Sequence, residues 1–291
     1  MEALLQQLAA TQGKWSTTAD GLKAAVERAR TQTFLLSITG ALLAALASQL
    51  DGSTRTYVAI AGAVAFAVMS FLTARLLGQD RSLKWLRARA AAEALKHAAY
   101  KFAAQAAPFD NAATREQLLS DEIAKIETDV DDLLPERITG KVGSTPTTLL
   151  NAAEYSQRRV AGQIEYYERA AGKCRTRARR LRRVEFSLSL AACIITAIAG
   201  VTEKDPIPGV DFDFVALTAV LTTIGGAILA HIEASRFDFV VTTYLATARR
   251  LGSERSPSVA TIPSAEWSAY VARCEGILQE ENASWLAKFS K

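Results

Sequence analysis

The chain has 291 residues, 49% of them hydrophobic, and a formal net charge of +4. Its mean hydropathy of +0.09 averages two populations, apolar blocks almost free of charge and segments crowded with it. That segregation excludes an ordinary soluble domain, whose charges are scattered, and three widely spaced cysteines (Cys174, Cys193 and Cys274) exclude a disulfide framework or a zinc site.

Residues 1–30 read as a moderately amphipathic helix, with Leu4, Leu8, Trp15, Leu22 and Val26 among Lys14, Lys23, Glu27 and Arg28, and not as a cleaved secretory signal. Charges then vanish between Arg30 and Asp51, and again between Arg55 and Arg75, with turn residues Asp51, Gly52 and Ser53 in between. Each gap approaches the roughly 20 residues that cross a hydrocarbon core. Spans are therefore expected at about 31–50 and 56–75, as a membrane hairpin with a tight turn. Through Leu83, Leu86, Ala90 and Ala94 the second span should run on as a soluble helix up to Pro108. Leu119, Ile123, Ile126, Val130 and Leu133 then form a heptad stripe, the seam of a helix pair or coiled coil. Pro135, Gly140, Gly143 and Pro146 break the pattern, which divides the chain into halves at 1–143 and 144–291.

The second half repeats the plan. Thr145 and Pro146 suit a helix start, and a cytoplasmic helix is expected over 147–185. It carries Arg169, Lys173, Arg175, Arg177, Arg179, Arg180, Arg182 and Arg183 with no acidic residue among them, followed by an uncharged stretch from Phe186 to Val201. A basic run abutting an apolar one reads as the cytoplasmic flank of a membrane helix. Spans at about 186–202 and 214–232 flank a turn that carries Glu203, Asp205, Asp211 and Asp213 against Lys204 and is stiffened by Pro206 and Pro208. Beyond a break around Gly252 comes a final helix in which Trp267, Val271, Cys274, Leu278 and Trp285 share a face. Both hairpin turns are poor in Lys and Arg while all four inner flanks are rich in them, which puts both termini in the cytoplasm. The expected architecture is an all-α membrane protein with four transmembrane helices as two hairpins, extended by long amphipathic cytoplasmic helices.

Catalytic motifs, a metal site and a cofactor loop are not expected: no Gly-rich phosphate loop, nucleophile elbow or HExxH run occurs. His97 reads as a surface or packing residue, and His231, beside Glu233, as either a pathway group or one that snorkels to the interface. No Asp, Glu, Lys or Arg lies inside a span, which argues against a coupled transporter. Hydroxyls recur there instead, and either bond backbone carbonyls or line a pore shared by several subunits. Thr218, Thr222, Gly225 and Gly226 on the fourth span are the candidate pore-lining set. Arg175, Arg177, Arg179, Arg180, Arg182 and Arg183 are the candidate surface for anionic inner-leaflet lipids. Nucleic acid is disfavoured there because no aromatic residues interleave with the arginines.

Around the first hairpin stand Trp85, Arg89, Glu93 and Lys96. Before the third span stand Glu154, Tyr155, Arg158, Arg159, Val160, Gln163, Tyr166, Tyr167 and Ala170, and near the end Cys274, Glu275, Ile277, Leu278, Glu280, Glu281 and Trp285. In this order around two hairpins, the chain resembles a tandem form of the SLATT family, the SMODS and SLOG-associating two-transmembrane effector domains. The resemblance implies a bacterial defence or conflict system, with a membrane effector that forms pores when a nucleotide-type second messenger or a nucleotide-sensing partner signals. Among the motif residues, Glu93, Lys96, Glu154, Arg158 and Glu275 are expected as inter-helix salt bridges or caps rather than a chemical site. The expected function is a non-enzymatic homo-oligomeric pore or channel in the bacterial inner membrane, self-assembled through its heptad-bearing helices. The alternative is a membrane-anchored helical scaffold for a soluble partner.

Overall fold

The computed structural model describes residues 1–76, 79–140, 142–201, 214–255, 259 and 262–289. The described residues are all-helical, with no strand among them. Four helical stretches are long and apolar enough to cross a membrane: Glu2–Ser48, Gly52–Arg75, Ala152–Gly200 and Phe214–Glu254. Large apolar side chains such as Leu42, Ile60, Phe71, Phe186, Ile194 and Leu229 are exposed on them. In water such a surface would aggregate, whereas in lipid it is the expected one.

The described residues cluster into two compact units, and residues from either side of the 143–144 break contribute to both. One is Met1–Ala25, Gln79–Gly172 and Val241–Lys291, here the core unit; the other is Val26–Gly78 and Lys173–Val240, the span unit.

In the span unit, α1 (Glu2–Ser48) contributes its second half and meets α2 (Gly52–Leu76) antiparallel. Glycine makes the close approach possible. A β-carbon at Gly40 would fall 2.9 Å from the Phe66 ring, and one at Gly62 would fall 3.3 Å from Leu43 Cβ. Gly52 opens α2 at φ +63, a left-handed conformation that other residues rarely adopt. The second hairpin pairs α6 (Gly162–Val201) with α7 (Phe214–Ser235) through Ala178, Ile228 and Ile232, joined by Phe237 just beyond α7, with Leu188 and Ile224 packed at their edge. The acidic turn expected between them, 202–213, lies outside the described residues.

The core unit is organised around α3 (Gln79–Ala103), which packs against α9 (Ser264–Phe289) on one side and α4 (Arg115–Thr128) on the other. Buried alanines, among them Ala88, Ala91, Ala92, Ala98 and Ala99, let its neighbours approach closely. The heptad stripe corrects an expectation. Leu119, Ile123 and Ile126 are buried on α4, and Val130 and Leu133 continue the buried row around the 3-10 turn Asp131–Glu136. Arg87 clamps that turn with two 2.6 Å bonds to the Asp132 carboxylate and one of 2.9 Å to the Asp129 carbonyl. The stripe is thus covered within the chain, as the seam of a helix pair and not of a coiled coil between copies.

A second correction concerns the helix expected to begin at Thr145 and Pro146. Residues 147–150 are not helical. Asn151 caps α5 (Ala152–Tyr155) instead: its side chain accepts from the Glu154 N–H at 2.9 Å, while the Glu154 carboxylate accepts from the Asn151 N–H at 3.0 Å. This reciprocal box satisfies two otherwise unpaired donors, an advantage that a proline at the first position does not supply. A π-helical turn, Ser156–Ala161, follows before α6. The remaining helix, α8 (Phe237–Glu254), follows α7.

Candidate functional site

The π turn decides the polar centre of the core unit. An inserted residue shifts the helical phase, and of two adjacent arginines it turns Arg159 inward, at 1% exposure, while Arg158 stays outside, 3.7 Å from Glu154. Glu275 on α9, also fully buried, receives Arg159 as a fork: Nε donates to Oε1 at 2.9 Å and Nη2 to Oε2 at 2.7 Å. The Tyr155 hydroxyl donates to Oε1 at 2.9 Å, and His97 Nδ1 meets Oε2. Burial alone would raise the Glu275 pKa, but the charge of Arg159 and the bonds from His97 and Arg159 overcome it and hold the carboxyl well below its usual range. Arg159 Nη2 lies 3.1 Å from the same His97 Nδ1, so the imidazole touches both members of the ion pair. The guanidinium of Arg159 also lies 4.5 Å from the centroid of the Tyr100 ring. His97, expected as a surface or packing residue, is a buried member of this ionic cluster.

Elsewhere on α3, Arg89, Glu93 and Lys96 share a face. They line a cavity of about 230 Å³ together with Trp85, with Ser16, Asp20 and Lys23 of α1, with Gln163, Tyr166 and Tyr167 of α6, with Tyr244 of α8 and with Glu281 of α9. Three tyrosines form one wall. The Tyr167 ring stands 5.4 Å from Tyr166 and 5.1 Å from Tyr244. Glu281 is buried, 3.4 Å from Arg89 Nη2, and accepts from the Tyr167 hydroxyl at 3.4 Å. Burial raises its pKa, and the cation of Arg89 only partly offsets that. Glu93 behaves oppositely: burial pushes it up, but Lys96, Arg159, His97 and Arg89 together leave it lowered. The Lys96 ammonium is lowered by burial, against the pull of Glu93. Among the described residues, neither Glu93 nor Lys96 makes a hydrogen bond or a close ion pair.

The structure therefore brings five sequence-selected residues, Trp85, Arg89, Glu93, Lys96 and Gln163, onto one cavity. Trp285 packs edge-on to Trp85 with centroids 6.2 Å apart, and the Arg89 guanidinium lies 4.9 Å from its ring. Glu275 belongs to the ionic cluster, and Glu154 with Arg158 to the helix start. Sequence reasoning did not single out Tyr244, and it gave no special weight to Arg159, Tyr167 or Glu281. For Arg159, Tyr167 and Glu281, only their place within the quoted motif runs of polar and aromatic residues hinted at them. Exposed Glu280, which pairs with Arg250 at 2.5 Å, shows how little separates an outward from an inward carboxylate in sequence.

The two other candidate sets lie in the span unit. Arg175, Arg177, Arg179, Arg180, Arg182 and Arg183 are all exposed on α6. Arg182 is bound to Asp238 at 2.5 Å, and Arg177 lies 5.7 Å from the Phe237 ring. On α7 the Thr218, Thr222 and Thr223 hydroxyls donate to the carbonyls four residues earlier, at 3.0, 2.9 and 2.7 Å. Gly225 is buried, with its β-carbon position 3.7 Å from Ser189 Oγ, whereas Gly226 faces open space. The four expected pore-lining residues thus divide: Thr222 and Gly226 point outward, Thr218 is half-buried and Gly225 faces α6. His231 packs against Phe34, ring centroids 4.8 Å apart.

Residues 155–285 match the family described as SMODS and SLOG-associating 2TM effector domain 1, and residues 13–117 match one described as Protein of unknown function (DUF4231). The first match runs from Tyr155, beside the buried Arg159, through the second hairpin to Trp285; the second takes in the first hairpin and α3. No curated protein and no solved structure matches the chain. The chain is an all-α membrane protein whose residues 155–285 match the family of SMODS and SLOG-associating two-transmembrane effector domains.

Proposed function

We propose that the protein is a homo-oligomeric, pore-forming membrane effector of a bacterial conflict system, without an enzymatic step. The observation that carries this reading is the outward face of α7. There Thr222, Gly226 and Ala230 recur at four-residue steps, flanked by Ala219 and Thr223, all of them exposed. Lipid offers no hydrophobic drive for helix association, so small residues that let backbones approach are what drive it. Four spans in one chain enclose no wide channel, and a ring of such faces supplies both the contact and a lining of small and hydroxyl-bearing residues. With the heptad stripe covered, this face takes over the assembly role.

In this reading the chain sits in the cytoplasmic membrane with both termini inside, as the basic flanks favour. The exposed Arg175, Arg179, Arg180 and Arg183 meet anionic headgroups, each adding about 1 kcal/mol. A nucleotide-type signal, or a partner protein that senses one, is the trigger that the family match suggests.

Ion flux through liposomes carrying the purified protein, with its subunit number measured in the same detergent, tests the proposal. A defined oligomer that leaks is expected, and Gly226→Leu should reduce it to smaller species with loss of flux. Thr222→Leu should abolish flux while leaving the subunit number unchanged. An oligomer that never leaks, with or without added nucleotide, would favour the anchored scaffold.

A further inference from the structure

The cavity between α1, α3, α6, α8 and α9 holds charged side chains whose hydrogen-bonding capacity the protein does not use, although their charges feel one another. Arg89 and Glu281 face each other at 3.4 Å and serve one another. Glu93 and Lys96 lie one helical turn apart on the same face of α3, half-buried, with no hydrogen bond or close ion pair among the described residues. Polar groups left so in a recess call for a partner, because desolvation without one is costly. Asp20 and Lys23 repeat the acid–base spacing at the exposed rim. The remaining wall is aromatic: Trp85, Tyr166, Tyr167 and Tyr244.

We propose that this cavity binds a small zwitterion, a free amino acid with an aromatic or large apolar side chain. Its ammonium would lie at Glu93, its carboxylate at Lys96, and its side chain against the tyrosine wall. Three observations select this class. The lining carries as many acidic as basic side chains, Asp20, Glu93 and Glu281 against Lys23, Arg89 and Lys96, so it matches a molecule with one charge of each sign. A phosphate dianion would be drawn by Lys96 but repelled by Glu93, which the surrounding cations keep ionised. The 230 Å³ volume falls short of the roughly 300–1,000 Å³ of drug-sized pockets. A single amino acid is of that order, and aromatic walls suit its apolar part while an ammonium gains from nearby ring faces. The inference concerns binding alone and stands whether or not the protein conducts ions.

Calorimetric titration of the full chain in detergent provides the test, with L-tryptophan, tryptamine, indole-3-propionate and AMP as probes. L-tryptophan should bind saturably, and the amine-only analogue, the acid-only analogue and AMP at least about tenfold more weakly. Glu93→Gln should weaken tryptophan about tenfold while sparing indole-3-propionate; Lys96→Met should weaken tryptophan similarly while sparing tryptamine. The retained binding of one analogue by each variant shows that its fold is intact. Tyr166→Ala, at the exposed edge of the wall, should weaken all three indoles together. Failure of tryptophan and of L-phenylalanine to bind saturably at millimolar concentration would overturn the proposal. So would tighter binding of AMP than of tryptophan, or tryptophan affinity unchanged in both charge variants.

Discussion

The core unit and the span unit are built by different physics. The core unit is held by contacts of one specific geometry: the Arg159 fork on Glu275, the Arg87 clamp on Asp132, and the tyrosine and tryptophan rings around Arg89. The described parts of the span unit's apolar helices instead satisfy their hydroxyls locally, as Thr218, Thr222 and Thr223 do, and pack through glycine and alanine. The comparison teaches where information resides. In the span unit the threonine hydroxyls of α7 need only their own helix, while in the core unit Arg159 and Glu275 are partners across 116 residues of sequence.

The largest effect should follow from breaking the core unit's ionic cluster. Glu275→Ala leaves Arg159 buried and uncompensated, and should cost about 3–5 kcal/mol in thermal unfolding followed by circular dichroism. Thr223→Val in the span unit, where the lost bond is to the helix's own carbonyl, should lie within about 0.5 kcal/mol of the parent. Equal losses from the two would erase the contrast.

Steric rather than electrostatic damage should mark the span unit. Gly40→Leu drives a side chain into the Phe66 ring, and should cost about 1–3 kcal/mol while leaving the core unit's near-ultraviolet signal unchanged. Loss of that signal would show that the hairpin and the aromatic cluster do not respond separately.

A smaller and sharper test is pH. Glu275 has a lowered folded-state pKa, so its stabilisation is complete above the unfolded value of about 4.3 and drains away as pH falls below it. Glu281 has a raised one, so its contribution is complete below that value and is lost as pH rises through the folded value. Unfolding measured stepwise from about pH 3 to pH 8 should show both slopes, and Glu281→Gln should remove the second while keeping the first. Persistence of the second slope in that variant would assign it to another group.

The smallest expected effect is at the helix start. Asn151→Ala removes one half of the capping box and should cost about 1 kcal/mol. A negligible change would mean that tertiary packing, including the bond from Leu150 N–H to the Ala103 carbonyl at 2.8 Å, fixes the start by itself.

Much of the fold was legible because it is local. An uncharged stretch of about 20 residues between Arg30 and Asp51 declares a span wherever the chain goes next. The heptad stripe at Leu119 to Leu133 was equally legible as a buried row, but not as one covered by its own chain. Periodicity reports which face is apolar and says nothing of what covers it. Trp85, Arg89, Glu93, Lys96 and Gln163 stood out as a motif, yet spacing along α3 and α6 could not show that one cavity collects them.

By itself the sequence determined an all-α chain with four apolar spans in two hairpins, because charge segregation and small residues act over neighbouring turns of one helix. Tertiary structure alone decided which of Arg158 and Arg159 is buried, since a π turn resets the helical phase there and Glu275 waits on a distant helix. It also decided that Gly225 faces inward while Gly226 faces out, and that Glu93 and Lys96 open onto a cavity. These outcomes depend on groups brought together from five helices, and a polar side chain in a recess is defined by such neighbours rather than by its own stretch of chain.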